Sequence, residues 1–457
     1  MSEHTTGTTS GTGTDMPPPT NLESPEKGTG VGSVFVSNYP AFSTWNEDEI
    51  DAYRAVLDQP PRSGVPLGLY MHIPFCRKRC KFCYFRVYTD RNAGQIQRYL
   101  DALGREVEML AERRAVAERP LSYVYFGGGT PSFIAVKHLR QLVDRVKAVM
   151  PWDDAREVTF ECEPGTLTES KVEAIRDIGV TRLSLGIENW SDEILEENGR
   201  AHLTKEIHRC LPWIRDAGFA QLNVDLIAGM VGETWDSWKD TVEKTLEVEP
   251  DSVTIYQMEL PYNTVYSRRM LEEGEASPVA DWPLKRAWND YAIDRLKEAG
   301  YEVSSAYTMI KPDKKSSQFL YRDALWHGSD LIGTGIASFG HLSGVHAQNL
   351  AGWAPYLEAV ERGELPLQRA KALDADELMT RELILQMKLG RLDLGYFRDK
   401  FQVDPLVRYE DAFEQHRDAG LLEIDGDEVI LDRAALLKVD TLLPAFYHPQ
   451  YRDVRYT

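Results

Sequence analysis

From Gly68 onward, short apolar runs alternate with amphipathic helical stretches about six times, and this alternation is what most restricts the architecture. The runs 68–73, 121–126, 157–162, 182–186, 221–227 and 252–258 have the length and bulk of buried strands. Between them, segments 95–114, 134–150, 169–178, 204–217 and 235–247 place apolar residues at three- and four-residue steps. In 134–150, for instance, Leu139, Leu142, Val143, Val146 and Met150 share one face. Repetition of this kind calls for a parallel sheet with helical crossovers. Periodicity alone leaves open whether that sheet is doubly wound or curled into a complete or partial barrel.

Both ends of the chain read differently. Residues 1–33 are rich in Gly, Thr, Ser and Pro, bury too little to offset ordering entropy, and are expected to form a disordered tail. Residues 34–67 are a lead-in to the first strand. After Pro261 the pattern weakens into a helix at 282–299 and a Gly-rich stretch at 328–340. Near Asp374 the texture changes to two or three helices, then 422–424, the turn Asp425-Gly426-Asp427, and 429–431. Helices followed by a hairpin predict a small winged-helix-like module over 366–457, after a main domain spanning 68–365. No repeat of fixed period is present.

Composition removes several function classes. The 457 residues carry 52 basic and 72 acidic side chains, a formal charge of -20, so a nucleic-acid partner is not expected. No apolar run reaches the roughly 20 residues of a membrane span. The opening MSEHTTGTTSGTG lacks the basic-then-apolar order of a secretory signal, and the five cysteines make no disulfide scaffold. A reducing, cytoplasmic setting is the expectation.

Three of those cysteines fall within eight positions. Cys76, Cys80 and Cys83 form C-x3-C-x2-C on the loop leaving the first strand. Three thiolates so spaced can ligate three irons of a [4Fe–4S] cube and leave the fourth iron open to an amine and a carboxylate. A structural zinc site would need four closed ligands, and no second C-x2-C or H-x3-H pair stands nearby; His72 is close but belongs to the strand. Cys162 and Cys210 lack ligand spacing and read as small buried residues. Gly127-Gly128-Gly129-Thr130-Pro131, after the second strand, exposes backbone N–H groups suited to an anion, although a tight turn would use the same residues.

The cysteine loop resembles that of the radical S-adenosylmethionine (SAM) superfamily. With YMHIPFC, GGGTPS and NVDLIAGM in order, residues from Gly68 to Phe446 are similar to the oxygen-independent coproporphyrinogen III oxidase (HemN/HemW-like) family. Its relatives include heme chaperones and two-SAM C-methyltransferases and cyclopropanases. The resemblance implies a partial (β/α)6-type TIM barrel, a [4Fe–4S] cluster on Cys76, Cys80 and Cys83, and one or two SAM molecules. It implies reductive cleavage of SAM to methionine and a 5′-deoxyadenosyl radical that abstracts hydrogen from substrate. It further implies SAM contacts from Tyr70, Gly127, Gly128, Gly129, Thr130, Glu161, Arg200 and Asp225. Asp225 also stands out unaided, because an unpaired carboxylate inside an apolar strand is costly. Glu188, where the family usually has Gln, is expected at the SAM pocket too, pairing with a SAM ribose or with Arg200, or marking a different branch. No residue is assigned to catalysis proper.

Within the family, 321–349 is similar to the oxidases. Tyr321 replaces the histidine linked to heme in the chaperones, Phe85 replaces a further oxidase cysteine, and Tyr256-Gln257-Met258 looks more like the chaperone and methyltransferase branches. Around the cysteines, Arg77, Lys78, Arg79, Lys81 and Arg86 form a basic collar in an acidic chain. It suits an anionic tetrapyrrole substrate or an acidic electron donor such as ferredoxin or flavodoxin. The expected reaction is oxidative decarboxylation of porphyrinogen propionates, with two-SAM methyl transfer or heme carriage as alternatives.

Overall fold

The computed structural model describes residues 29–312, 318–452 and 454. Its main sheet has 12 strands. The six expected strands are β1 (Leu67–Ile73), β2 (Leu121–Gly128), β3 (Glu157–Cys162), β4 (Arg182–Glu188), β5 (Gln221–Ala228) and β6 (Ser252–Gln257). They pair in parallel and in chain order. Consecutive parallel neighbours joined by right-handed crossovers place the crossover helices on one face, so the sheet curls instead of being doubly wound. The strand order does not return to its start, and the barrel is partial.

Four strands extend the sheet beyond β1, and two cover the edge of β6. On the second side lie β7 (Glu302–Val303) and β8 (Thr308–Ile310), with β8 antiparallel to β6. On the first side the Gly-rich stretch supplies β9 (Asp330–Thr334), parallel to β1. Next come β10 (Phe339–Leu342), β11 (Val345–Asn349) and β12 (Leu367–Ala372), all antiparallel. The helices form where periodicity placed them, at Ala93–Ala111, Val136–Val149, Glu169–Asp177, Thr204–Ala217, Trp235–Val248 and Trp282–Glu298. Asn92 starts the first of these with a reciprocal cap to Gln95, which satisfies two otherwise orphaned donors.

Period-two alternation in the strands sorts the side chains. Val124, Phe126, Val158, Phe160, Leu183, Leu185, Val224 and Leu226 point to the helices and form the principal apolar core. Their neighbours Tyr125, Glu161, Arg182, Ser184 and Asp225 face the other way and wall a cavity.

A second apolar core lies in the C-terminal part, built on the helices Ala375–Met387, Leu394–Phe401 and Glu410–Asp418. It also packs against β13 (Arg391–Asp393), β14 (Leu422–Asp425) and β15 (Glu428–Leu431), a three-stranded antiparallel sheet. β13 is too short and polar to read from sequence. The expected tail lies outside the described residues up to position 28, but 29–33 departs from that expectation by packing on the barrel. Thr29 is buried and donates to Ala280 O, Gly32 bridges to Leu260, and Ser33 bonds Glu259. The strap continues to Val36, whose N–H donates to Asp440 of the C-terminal part at 2.9 Å. Its small residues are ordered by hydrogen bonds, a signal that apolar content does not carry.

Candidate active site

The cysteine loop leaves β1 and is fixed from three sides. Cys76 N donates to Tyr88 O at 3.1 Å, Lys81 N to Asn198 O at 3.0 Å, and Val265 N to Lys81 O at 2.9 Å. All three thiols are free and partly exposed. Cys80 and Cys83 help to keep Cys76 protonated, and Cys80 does the same for Cys83, so the three stand within electrostatic reach. Burial is the larger cause and pushes Cys76 up to about 12 and Cys83 up to about 11. Among the described residues no three His, Cys, Asp or Glu side chains converge tightly enough to hold a single metal ion. The corners of a cube carry separate irons, so a cluster's thiolates need not converge on one point.

The glycine turn lies against this loop. Gly129 N donates to Ile73 O and Thr130 N to Phe75 O, both at 2.8 Å. A Cβ on Gly129 would sit 2.9 Å from Ile73 O and 3.0 Å from Phe75 O, so only glycine allows the approach. Gly128 has φ 112°, and a Cβ there would meet the His72 ring at 2.5 Å. Thr130 Oγ1 donates to Cys76 Sγ at 3.2 Å. Three soft sulfurs beside a turn with no room for side chains are a donor set that fits an iron–sulfur cluster.

Carboxylates line the strand ends. Glu161, on β3, accepts from Tyr125 OH at 2.8 Å and Gly128 N at 3.1 Å, and burial raises it to about 7. Asp225, on β5, accepts from Ser184 Oγ at 2.7 Å and Asn223 Nδ2 at 2.9 Å, and burial raises it too. Glu188 ends β4 just past a register shift, at φ 67°, a conformation that disfavours side chains. Burial, with Asp225 and Glu161 adding, raises it to about 7 against the pull of Arg200. Arg200 lies 3.5 Å from Glu188, donates to Gly186 O at 2.8 Å, and places Nη1 3.5 Å from Cys80 Sγ. That guanidinium ties the carboxylate belt to the cysteine loop.

These groups share a cavity of about 460 Å3, within the usual range for a small-molecule site. Of the residues singled out from sequence, Cys76, Cys80, Cys83, Gly128, Gly129, Thr130, Glu161, Glu188, Arg200 and Asp225 all line it. Tyr70 and Gly127 stand behind the wall. Tyr70 stacks on Tyr125 and its hydroxyl lies 3.2 Å from His72 Nδ1, while a Cβ on Gly127 would meet both tyrosines. Tyr321 likewise packs on Tyr123 and Tyr125 and is not among the lining residues. The collar is partly neutralised: Arg77 lies 3.4 Å from Glu163, and Lys81 2.9 Å from Glu197. Lys78 and Arg79 line the cavity mouth.

Several walls were not singled out from sequence. Phe35 comes from the strap, Trp282 from the barrel, and Lys438 and Thr441 from the C-terminal part. Arg182 opens β4 and is 2% exposed. A charge at the head of an apolar strand was the available signal, the same one that singled out Asp225.

Residues 70–245 match the Radical SAM superfamily. Over 406 residues, 85% of each chain, the sequence is 26% identical to an oxygen-independent coproporphyrinogen III oxidase of Synechocystis sp.. It is 28% identical to the heme chaperone HemW of Mycobacterium tuberculosis over 84% of this chain and 95% of that one. The crystal structure described as coproporphyrinogen III oxidase (HemN) from Escherichia coli, a radical SAM enzyme, superposes with a TM-score of 0.78. That match is 23% identical and covers 90% of this chain and 96% of the other, so it speaks to the fold. No helix among the described residues is long and apolar enough to cross a membrane.

Proposed function

We propose, from the match of residues 70–245 to the Radical SAM superfamily and the similarity to oxygen-independent coproporphyrinogen III oxidases, that this chain is a radical SAM enzyme that oxidatively decarboxylates propionate side chains of a porphyrinogen. The family implies a [4Fe–4S] cluster and SAM; bound, they supply reductive cleavage of SAM to a hydrogen-abstracting 5′-deoxyadenosyl radical. Cys76, Cys80 and Cys83 would hold the cluster. Thr130, by its hydrogen bond to Cys76 Sγ, and Arg200, by its charge beside Cys80, would stabilise added negative charge there. The backbone of Gly128 and Gly129, with Glu161, Glu188 and Asp225, would orient SAM along the strand ends.

The observation that carries this reading is that one cavity is lined by the cysteine loop and also by the strap, Trp282 and the C-terminal part. Those elements would cover part of a ligand bound beyond the cysteine end, and a reactive radical needs such cover from water. The stacked, exposed pair Tyr84 and Phe85, with ring centroids 4.4 Å apart, offers a flat apolar rim to a tetrapyrrole. Lys78 and Arg79 give the mouth a charge suited to its carboxylates or to an acidic electron donor.

The test is anaerobic incubation of the reconstituted protein with dithionite, SAM and coproporphyrinogen III. With a one-electron acceptor added to take the substrate radical's remaining electron, harderoporphyrinogen or protoporphyrinogen, formed with carbon dioxide and 5′-deoxyadenosine, is the expected outcome. S-adenosylhomocysteine without decarboxylation would overturn the reading in favour of methyl transfer. The similarity to HemW motivates a second reading, heme carriage. Stoichiometric heme binding without substrate-dependent 5′-deoxyadenosine would establish that instead.

A further inference from the structure

The cavity floor carries a guanidinium that no acceptor among the described residues hydrogen-bonds. Arg182 lies on the same face of β4 as Ser184, Gly186 and Glu188, and all four line the cavity. Its guanidinium is 4.0 Å from the Phe319 ring centroid. Its Nε has no partner, and no acceptor among the described residues takes a hydrogen bond from any of its nitrogens.

The carboxylates that feel its charge are committed elsewhere. Glu157 accepts from Leu320 N at 2.9 Å, Tyr321 N at 3.2 Å and Thr159 Oγ1 at 3.0 Å. Asp225 is taken by Ser184 and Asn223, and Glu161 by Tyr125 and Gly128. A guanidinium keeps its proton and presents five donors in a planar fork. Burying one with no acceptor is costly unless something else supplies the oxygens.

We propose that Arg182 is the docking point for a ligand carboxylate, in the first place a propionate of the organic substrate. This rests on the proposed function above. A carboxylate fits the fork edge-on while Phe319 and Tyr125 bound the space beside it. A phosphate dianion fits less well, because Glu161, Glu188 and Asp225 line the same cavity and repel a second negative charge more strongly. Anchored there, the substrate presents its other side chains toward the cysteine end.

Three measurements on reconstituted full-length protein test this. First, thermal unfolding of ligand-free Arg182→Met and wild type: with no acceptor hydrogen-bonded to the guanidinium, only its longer-range attraction to Glu157, Asp225 and Glu161 is lost, and the midpoint should fall by about 2 °C at most. A fall of several degrees, the mark of a structural ion pair, would overturn the proposal. Second, fluorescence titration with coproporphyrin III: Arg182→Met should weaken binding by about tenfold or more, and Arg182→Lys should recover part of the loss. Equal binding by wild type and Arg182→Met overturns the docking role and leaves the porphyrinogen reading intact. Third, SAM binding by equilibrium dialysis separates the two sources of a carboxylate. Should wild type bind no tetrapyrrole, the proposed function fails. Weaker SAM binding by Arg182→Met would then assign the carboxylate to SAM, and unchanged SAM binding would overturn the inference altogether.

Discussion

Glu188 combines two costs that a pair of substitutions can separate. Its carboxyl is raised from 4.5 to about 7, so the folded protein holds a proton that the unfolded chain releases between those values. Stability therefore falls as pH rises through that window, and the loss is complete above pH 7. At about 1.4 kcal/mol per pH unit the face value is roughly 3 kcal/mol. The side chain keeps 13% exposure to a wet cavity, and screening reduces the expected effect to about 1–2 kcal/mol. Glu188→Gln keeps the shape, removes the charge and restores the residue the family usually has here. It should match wild type at pH 4.5 and exceed it by roughly 1–3 °C in Tm at pH 8. Glu188→Gly also relieves the strain of φ 67° and should exceed Glu188→Gln by about 1 kcal/mol at every pH. Anaerobic thermal unfolding of the reconstituted protein from pH 4.5 to 8.5 reads both. A Gln-minus-wild-type difference that does not change with pH would refute the electrostatic reasoning.

Further substitutions probe the rest of the site. Gly129→Ala drives a Cβ into the backbone of the cysteine loop and should cut cluster loading or SAM affinity at least about tenfold; iron content and SAM binding at wild-type levels would contradict the close approach. Thr130→Val removes the hydrogen bond to Cys76 Sγ and should lower the cluster's reduction potential in an EPR-monitored titration, whereas an unchanged potential would show that the bond does not tune it. Cys80→Ala should abolish the brown chromophore, and retained SAM cleavage would refute the ligand assignment. Away from the site, buried Glu106 accepts from Tyr356 OH at 2.7 Å, Asn349 Nδ2 at 2.5 Å and Gly335 N at 2.8 Å. Glu106→Gln sets a donor against donors and should cost about 1–3 kcal/mol in unfolding experiments near pH 7; no loss would mean that the network rearranges freely.

The parallel strands were legible because each is a run of bulky apolar residues ended by glycine or a polar turn. Their bounds differ from the sequence reading by two residues or fewer. The largest shifts are at β2, which runs on into Gly127 and Gly128, and at β4, which continues past its glycine to Glu188. Curling followed from pairing order, which periodicity does not carry. The outer strands escaped notice for a different reason. β11 reads Val-His-Ala-Gln-Asn, and its polar side chains are buried by hydrogen bonding, as with Asn349 on Glu106 and Ser338. In the site, residues marked by chemistry alone, the three cysteines and Asp225, line the cavity. Tyr70, taken from the resemblance, lies one ring behind it. Arg182 was missed because its strand was read for apolar content, and the alternation that turns every second residue into the cavity was not followed position by position.

The central claim is that the cavity delivers hydrogen abstraction to a porphyrinogen propionate. It is tested most directly by supplying coproporphyrinogen III deuterated at the propionate β-carbons to the reduced, SAM-loaded protein and weighing the 5′-deoxyadenosine formed. The account predicts deuterium in the 5′-methyl group, in proportion to carbon dioxide released. Unlabelled 5′-deoxyadenosine, formed at the same rate with and without the tetrapyrrole, would contradict it.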